Sequence, residues 1–168
     1  MTAFFPPDIL KAAESVLAKA RAKKLLIATA ESCTGGLIAA ALTEIPGSSD
    51  VFDRGFVTYS NKAKAVMLKV PTAILRKHGA VSEKAARAMA TGALKASGAS
   101  IAVAVTGIAG PGGGSPQKPV GLVHFAIARK GAPPHTVERR FGDLGRTEVR
   151  LDTVRQAFAM LAEEIDRV

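Results

Sequence analysis

The sequence predicts an α/β protein, a three-layer α/β/α sandwich around a mixed, mainly parallel sheet. Three observations carry this prediction. Apolar residues at helical spacing alternate along the chain with short apolar runs of strand length. The last two strand candidates follow each other with only a turn between them, which makes the sheet mixed rather than purely parallel. Ala and Gly dominate, aromatic residues make up only 5%, and Trp is absent, a composition suited to helices packed closely on a sheet.

Pro6 and Pro7 precede an amphipathic run in which Ile9, Leu10, Ala13, Val16, Leu17 and Ala20 recur at helical spacing, with Asp8 as its N-cap. "LLIATA" reads as a buried strand. "TGGLIAAALTEI" reads as a helix stopped by the breaker cluster "PGSSD". "RGFVTYS" alternates and carries aromatics, so it reads as a strand, and "NKAKAVML" follows as a short helix. Pro71 opens another short helix, which Gly79 stops. Ser82 caps "EKAARAMATGALKAS", and Gly98 closes it. "ASIAVAVTG" is the strongest strand. The Gly/Pro-rich loop "IAGPGGGSPQKPVG" comes next, then the strands "LVHFAIAR" and "HTVERRF", joined around Gly131 to Pro134. A long helix from Arg146 ends the chain, with Val149, Val154, Phe158, Leu161 and Ile165 turned inward.

With 168 residues and 48% hydrophobic content, the chain reads as a single domain over 1–168 with a real core. No apolar stretch approaches the ~20 residues that span a bilayer. The start lacks a basic segment followed by an apolar one, so the expected location is cytoplasmic. A lone Cys excludes an internal disulfide. The net charge of +9 raises nucleic acid as a partner, but the basic residues are dispersed, with no tail and no interleaved aromatics. A small anionic ligand fits the same excess. Alanine-rich helix faces permit a homo-oligomer without assigning its interface.

Polar chemistry concentrates where strands end, the place at which an α/β sheet opens its ligand crevice. In "AESCTGG", Ser32 or Thr34 reads either as a helix cap or as part of a site. The helix start at Thr34, Gly35 and Gly36 offers N–H groups to an anion. The loop after the strongest strand brings Thr106, Gly107 and Gly110. It matches neither a P-loop nor a dinucleotide fingerprint, and reads either as a flexible connection or as half of a shared site. In "YSNKAK", Tyr59 ends a strand and Ser60 shares a helical face with Lys64. A lysine beside a hydroxyl is a base–nucleophile arrangement for amide hydrolysis once burial lowers the amine's affinity for its proton. A solvated surface lysine is the alternative. Cys33 reads as a small buried residue or as a thiolate nucleophile at a helix N-terminus. The three histidines show no ligand spacing, so neither a metal nor a cofactor is expected. Arg146 and Arg150, one turn apart, read as a phosphate clamp or as a solvated face.

Taken together, "AESCTGG", "GFVTYSNKAK", "HGAVS", "VTGIAGPGGGSPQKPVG" and "FGDLGRTEVR" resemble the C-terminal domain of the CinA family, from about Leu25 to the chain's end. Members of this length are nicotinamide-nucleotide amidohydrolases. They hydrolyse the carboxamide of nicotinamide mononucleotide to the nicotinate nucleotide and ammonia, in pyridine-nucleotide recycling, without a metal. The larger N-terminal domain of full-length members lies outside this sequence, so its activity is not carried over. The resemblance implies a serine–lysine mechanism with Ser32 as nucleophile, Lys64 as base and Tyr59 relaying a proton or holding Lys64. The residues read as binding substrate for that chemistry are Glu31, facing the ring cation, with Cys33, Thr34, Gly35, Gly36, Asn61, Thr106, Gly107, Gly110, Arg146 and Arg150. An amidase for another small carboxamide, or a non-catalytic nucleotide-binding module, remains open on the residues alone.

Overall fold

The computed structural model describes residues 4–168. Six helices, α1 (Pro7–Ala22), α2 (Leu37–Thr43), α3 (Asn61–Leu68), α4 (Thr72–His78), α5 (Glu83–Ala96) and α6 (Arg146–Asp166), surround five strands, with a short 3-10 turn at Ser48–Asp50. The strands are β1 (Ile27–Glu31), β2 (Phe52–Val57), β3 (Ile101–Gly107), β4 (Leu122–Arg129) and β5 (Ala132–Arg140), in the order β2-β1-β3-β4-β5. β1 pairs parallel with β2 and β3, and only the β3–β4 and β4–β5 pairs are antiparallel. β4 alone therefore runs against the rest, so the sheet is mixed and mainly parallel, as the sequence predicts.

Side-chain alternation along the central strands sorts the core into two unlike faces. Ile27, Ile101, Val103, Val105, Val123, Phe125 and Ile127 face α1, α2 and α6. Ala28, Ala30, Ala102, Ala104, Ala126 and Ala128 face α5, whose own contact residues are Ala85, Ala86, Met89, Ala90 and Ala93. Small residues on both sides let α5 lie close to the sheet. The branched face needs the larger side chains of α1 and α6, such as Leu17 and Phe158, to fill a wider gap at interior density.

Several element boundaries differ from the sequence reading for local reasons. α1 begins at Pro7, before Asp8, because proline's fixed φ suits the first helical position. α2 begins at Leu37, not Thr34, because Gly35 (φ 58°) and Gly36 (φ 104°) adopt left-handed backbone that cannot belong to the helix. α5 stops at Ala96, one residue before the Ser97 hydroxyl, which turns back to Ala93 O at 2.7 Å. β5 starts at Ala132 and contains both Pro133 and Pro134; as an edge strand it tolerates their missing N–H groups.

The β1 and β3 ends form the switch point. The chain leaves β1 toward β2 on one side and leaves β3 toward β4 on the other, opening a crevice between the two exits. α3 reaches this crevice through its seat on α5. A Cβ on Gly92 would lie 2.0 Å from Leu68 O, so only glycine allows the C-terminus of α3 to rest on α5 at this depth. Gly92→Ala should therefore push α3 outward. It should destabilise the fold by about 1–3 kcal/mol in denaturant unfolding, the usual range for overpacking, and displace Lys64, which α3 carries.

Candidate active site

Ser32 follows β1 directly, and its N–H donates to Val105 O at 3.1 Å, so the sheet pairing runs one residue past the strand. Lys64 sits one turn into α3 with its side chain directed at the β1 exit. It is 1% exposed, the one fully buried lysine among the described residues. Its Nζ lies 3.0 Å from Ser32 Oγ, 2.8 Å from Thr58 O and 3.4 Å from Tyr59 O. Burial pulls the amine below its ordinary value, and among the described residues it makes no ion pair that would hold its proton. A neutral amine has two N–H donors and one lone pair. In that state the two carbonyls would take the donors, leaving the lone pair for the Ser32 hydroxyl. An ammonium would find acceptors in the same three oxygens, so the amine can take up and release a proton without moving.

Ser32 and Lys64 share a cleft of about 280 Å³ with Cys33, Tyr59, Thr106, Gly107, Gly110 and Arg146. Arg146 bridges the mouth: its Nη1 donates to Gly110 O at 2.8 Å and its Nη2 to Tyr59 Oη at 3.0 Å. The glycine loop after β3 and the segment after β2 are thereby tied together from α6. Ala80, Val81, Ile108, Ala109, Gly112 and Gly113 complete the lining. Ala80 and Val81 lie in "HGAVS", in its non-helical part between α4 and α5, with no titratable side chain at either position. A residue-by-residue search for chemistry passes over them for that reason.

Other expected site residues are placed elsewhere. Glu31 is 1% exposed and turned away from the cleft. Its carboxylate accepts from Thr34 Oγ1 (2.6 Å) and from the N–H groups of Gly36 (3.1 Å), Ile38 (3.0 Å) and Ala39 (2.9 Å). It caps α2 from inside, so it does not face a ligand's ring cation. The N-terminus of α2 is consequently filled by the protein's own anion, and Thr34, Gly35 and Gly36 do not line the cleft. Asn61 lies on the exposed start of α3, outside the cleft. Ser60 does not meet Lys64; its hydroxyl accepts from Ala63 N–H at 3.0 Å as the N-cap of α3. The Tyr59 hydroxyl meets Arg146, and it is the Tyr59 backbone carbonyl that touches Lys64. Arg150 lies behind the turn and donates to the Cys33 and Thr34 carbonyls. Cys33 does line the cleft, but burial, with Glu31 nearby, pushes its thiol up to about 12, which removes the thiolate at neutral pH.

The profile of the CinA C-terminal domain matches residues 9–165. The chain belongs to this family. A CinA-family relative, nicotinamide-nucleotide amidohydrolase PncC of Enterobacter agglomerans, is 54% identical over 132 residues, covering 78% of this chain and 79% of that protein. A CinA-like protein of Synechococcus sp. (strain RCC307) is 49% identical over 158 residues, covering 94% of this chain but 38% of the relative. Several curated relatives are thus much longer than the CinA domain described here. Among solved structures, competence/damage inducible protein CihA from Agrobacterium tumefaciens superposes with a TM-score of 0.95 at 55% identity, covering 98% of this chain and 99% of that one.

The capping role of Glu31 has a direct consequence. Glu31→Gln would set an NH2 donor against the N–H groups of α2 and leave at least one of them unpaired. It should destabilise the protein by about 2–3 kcal/mol in denaturant unfolding. Cys33→Ser should leave kcat within about a factor of ten of wild type, as removal of a spectator thiol would, whereas loss of a nucleophile costs orders of magnitude more.

Proposed function

We propose that the chain, as a single domain over 1–168, hydrolyses the carboxamide of nicotinamide mononucleotide to nicotinate mononucleotide and ammonia, in pyridine-nucleotide recycling. The observation that carries this reading is the buried Lys64 amine 3.0 Å from the Ser32 hydroxyl at the head of a cleft. The amidohydrolase named among the relatives supports the substrate.

Ser32 Oγ attacks the carboxamide carbon while its proton passes to the Lys64 lone pair. The tetrahedral intermediate collapses as Lys64 returns the proton to the leaving nitrogen, and ammonia departs. Water then attacks the Ser32 ester as Lys64 accepts its proton, the acyl–oxygen bond breaks as Lys64 returns that proton to Ser32 Oγ, and the carboxylic acid loses its proton to solvent as the carboxylate product is released. The Cys33 N–H, which donates to no backbone carbonyl among the described residues, is the donor adjacent to the nucleophile for the oxyanion; such a donor is worth about 3–4 kcal/mol in other hydrolases. Arg146 at the mouth meets the nucleotide's phosphate in place of Tyr59 Oη. Gly107 and Gly110 let the ribose lie close to the backbone. The ring cation sits against an uncharged Lys64, and no metal enters these steps.

Ser32→Ala and Lys64→Ala should each lower kcat by on the order of 10³-fold or more, with substrate binding by calorimetry largely retained. Near-normal turnover in Ser32→Ala would end the assignment. The pH dependence follows from the direction of the Lys64 shift. Its folded value is lowered, so activity should rise with pH as the amine loses its proton, with the inflection below the ordinary 10.5. The unfolded chain binds this proton more tightly than the folded one, so folding carries a cost below the lowered value, and that cost disappears as pH rises toward the unfolded value. Lys64→Met should therefore abolish ammonia release while holding or raising the melting temperature at pH 7.

A further inference from the structure

Arg150 does not face the cleft, yet it makes two hydrogen bonds to the turn that carries Ser32. Its Nε donates to Cys33 O at 3.2 Å and its Nη2 to Thr34 O at 2.9 Å. Those carbonyls are the two central ones of a turn closed by the Gly35 N–H donating to Ser32 O at 3.1 Å. Arg150 is half-buried and makes no ion pair among the described residues, so its charge is directed wholly at backbone. In a trans peptide the C=O and N–H point in opposite directions. Holding the Cys33 carbonyl toward α6 therefore turns the N–H of the same peptide, that of Thr34, away from α6. Among the described residues, neither this N–H nor that of Cys33 donates to a backbone carbonyl. A guanidinium bonded to a carbonyl also polarises the peptide, which makes its N–H a stronger donor. Glu31 holds the far side of the turn through Gly36, Ile38 and Ala39.

The geometry points to Arg150 as a positioning residue. It holds the Cys33–Thr34 turn from behind, so that the turn presents the Cys33 N–H to the oxyanion formed beside Ser32 Oγ. This assignment rests on the serine–lysine reading above, and it replaces the phosphate contact that sequence spacing predicts for Arg150. An arginine that reads phosphate acts on substrate binding. One that sets the turn acts on the chemical step and on any acylating or phosphylating reagent, whatever its leaving group.

The test uses the full chain and an alkyl fluorophosphonate. Ser32 Oγ bonds to phosphorus, fluoride leaves, and the hydroxyl proton passes to Lys64. The labelling rate, read by mass spectrometry, does not depend on the nucleotide. Arg150→Met should label on the order of tenfold or more slowly than wild type, since it loses support for oxyanion donors. Guanidinium ion added at low concentration should restore part of the rate, and methylammonium should not. Arg150→Lys, which cannot bridge both carbonyls, should fall between. With nicotinamide mononucleotide, kcat should drop by a similar factor while KM stays within about twofold. Wild-type labelling in both variants, or a raised KM with unchanged kcat, overturns the proposal. If Arg150→Met fails to fold, the Arg150→Lys rate decides alone. A wild-type protein that labels at Ser32 but releases no ammonia from the nucleotide sinks the substrate assignment, and the labelling rates still judge Arg150. A wild-type Ser32 that does not label overturns both.

Discussion

A primary amine without a counter-ion, 1% exposed, is the constraint around which the cleft is arranged. Charged and alone it would lose several kcal/mol of hydration on burial, so the fold must either neutralise it or surround it with acceptors. The structure surrounds it with acceptors and weakens its hold on the proton. The carbonyls of Thr58 and Tyr59 take its N–H groups, and burial lowers its hold on the third proton. Each of these depends on the position of α3, and α3 depends on the bare backbone of Gly92 against Leu68. A packing detail on the far face of a helix thus governs the distance from an amine to a hydroxyl.

The two faces of the sheet divide the labour. The alanine face brings α5 close and, through it, sets α3 and Lys64. The branched face carries α6, which sends Arg146 across the mouth and Arg150 behind the turn. Ser32 stands between them at the end of β1, where the two exits of the chain part. Ser32 is fixed by the sheet, Lys64 by one layer, and the two arginines by the other.

The turn from Glu31 to Gly36 shows how a loop can be made rigid by charges placed on opposite sides of it. Glu31 holds N–H groups and Arg150 holds carbonyls, so the backbone between them is pinned by its own dipoles. Gly35 and Gly36 supply the left-handed backbone that lets the Glu31 carboxylate reach under the helix. Polar residues dense enough to suggest a ligand site are largely occupied in making the support for one.

The residues by themselves determined much of this protein. Periodicity placed the strands and helices to within a few residues, the closing hairpin announced a mixed sheet, and Ser82 and Gly79 marked helix ends through chemistry local to each turn. The candidate chemistry at the strand ends was legible because such positions open into the crevice of an α/β sheet. Only the tertiary structure decided which polar groups meet. Glu31 and Arg150 share the motif neighbourhoods of Ser32 and Arg146, and nothing in their spacing separates a side chain that lines a cleft from one that braces it. That choice depends on rotamers and on which face of an element meets a neighbour far away in the chain. The same long-range packing set the hydroxyl of Ser32 beside Lys64 and left the hydroxyl of Ser60, one helical turn from that lysine, to cap its own helix.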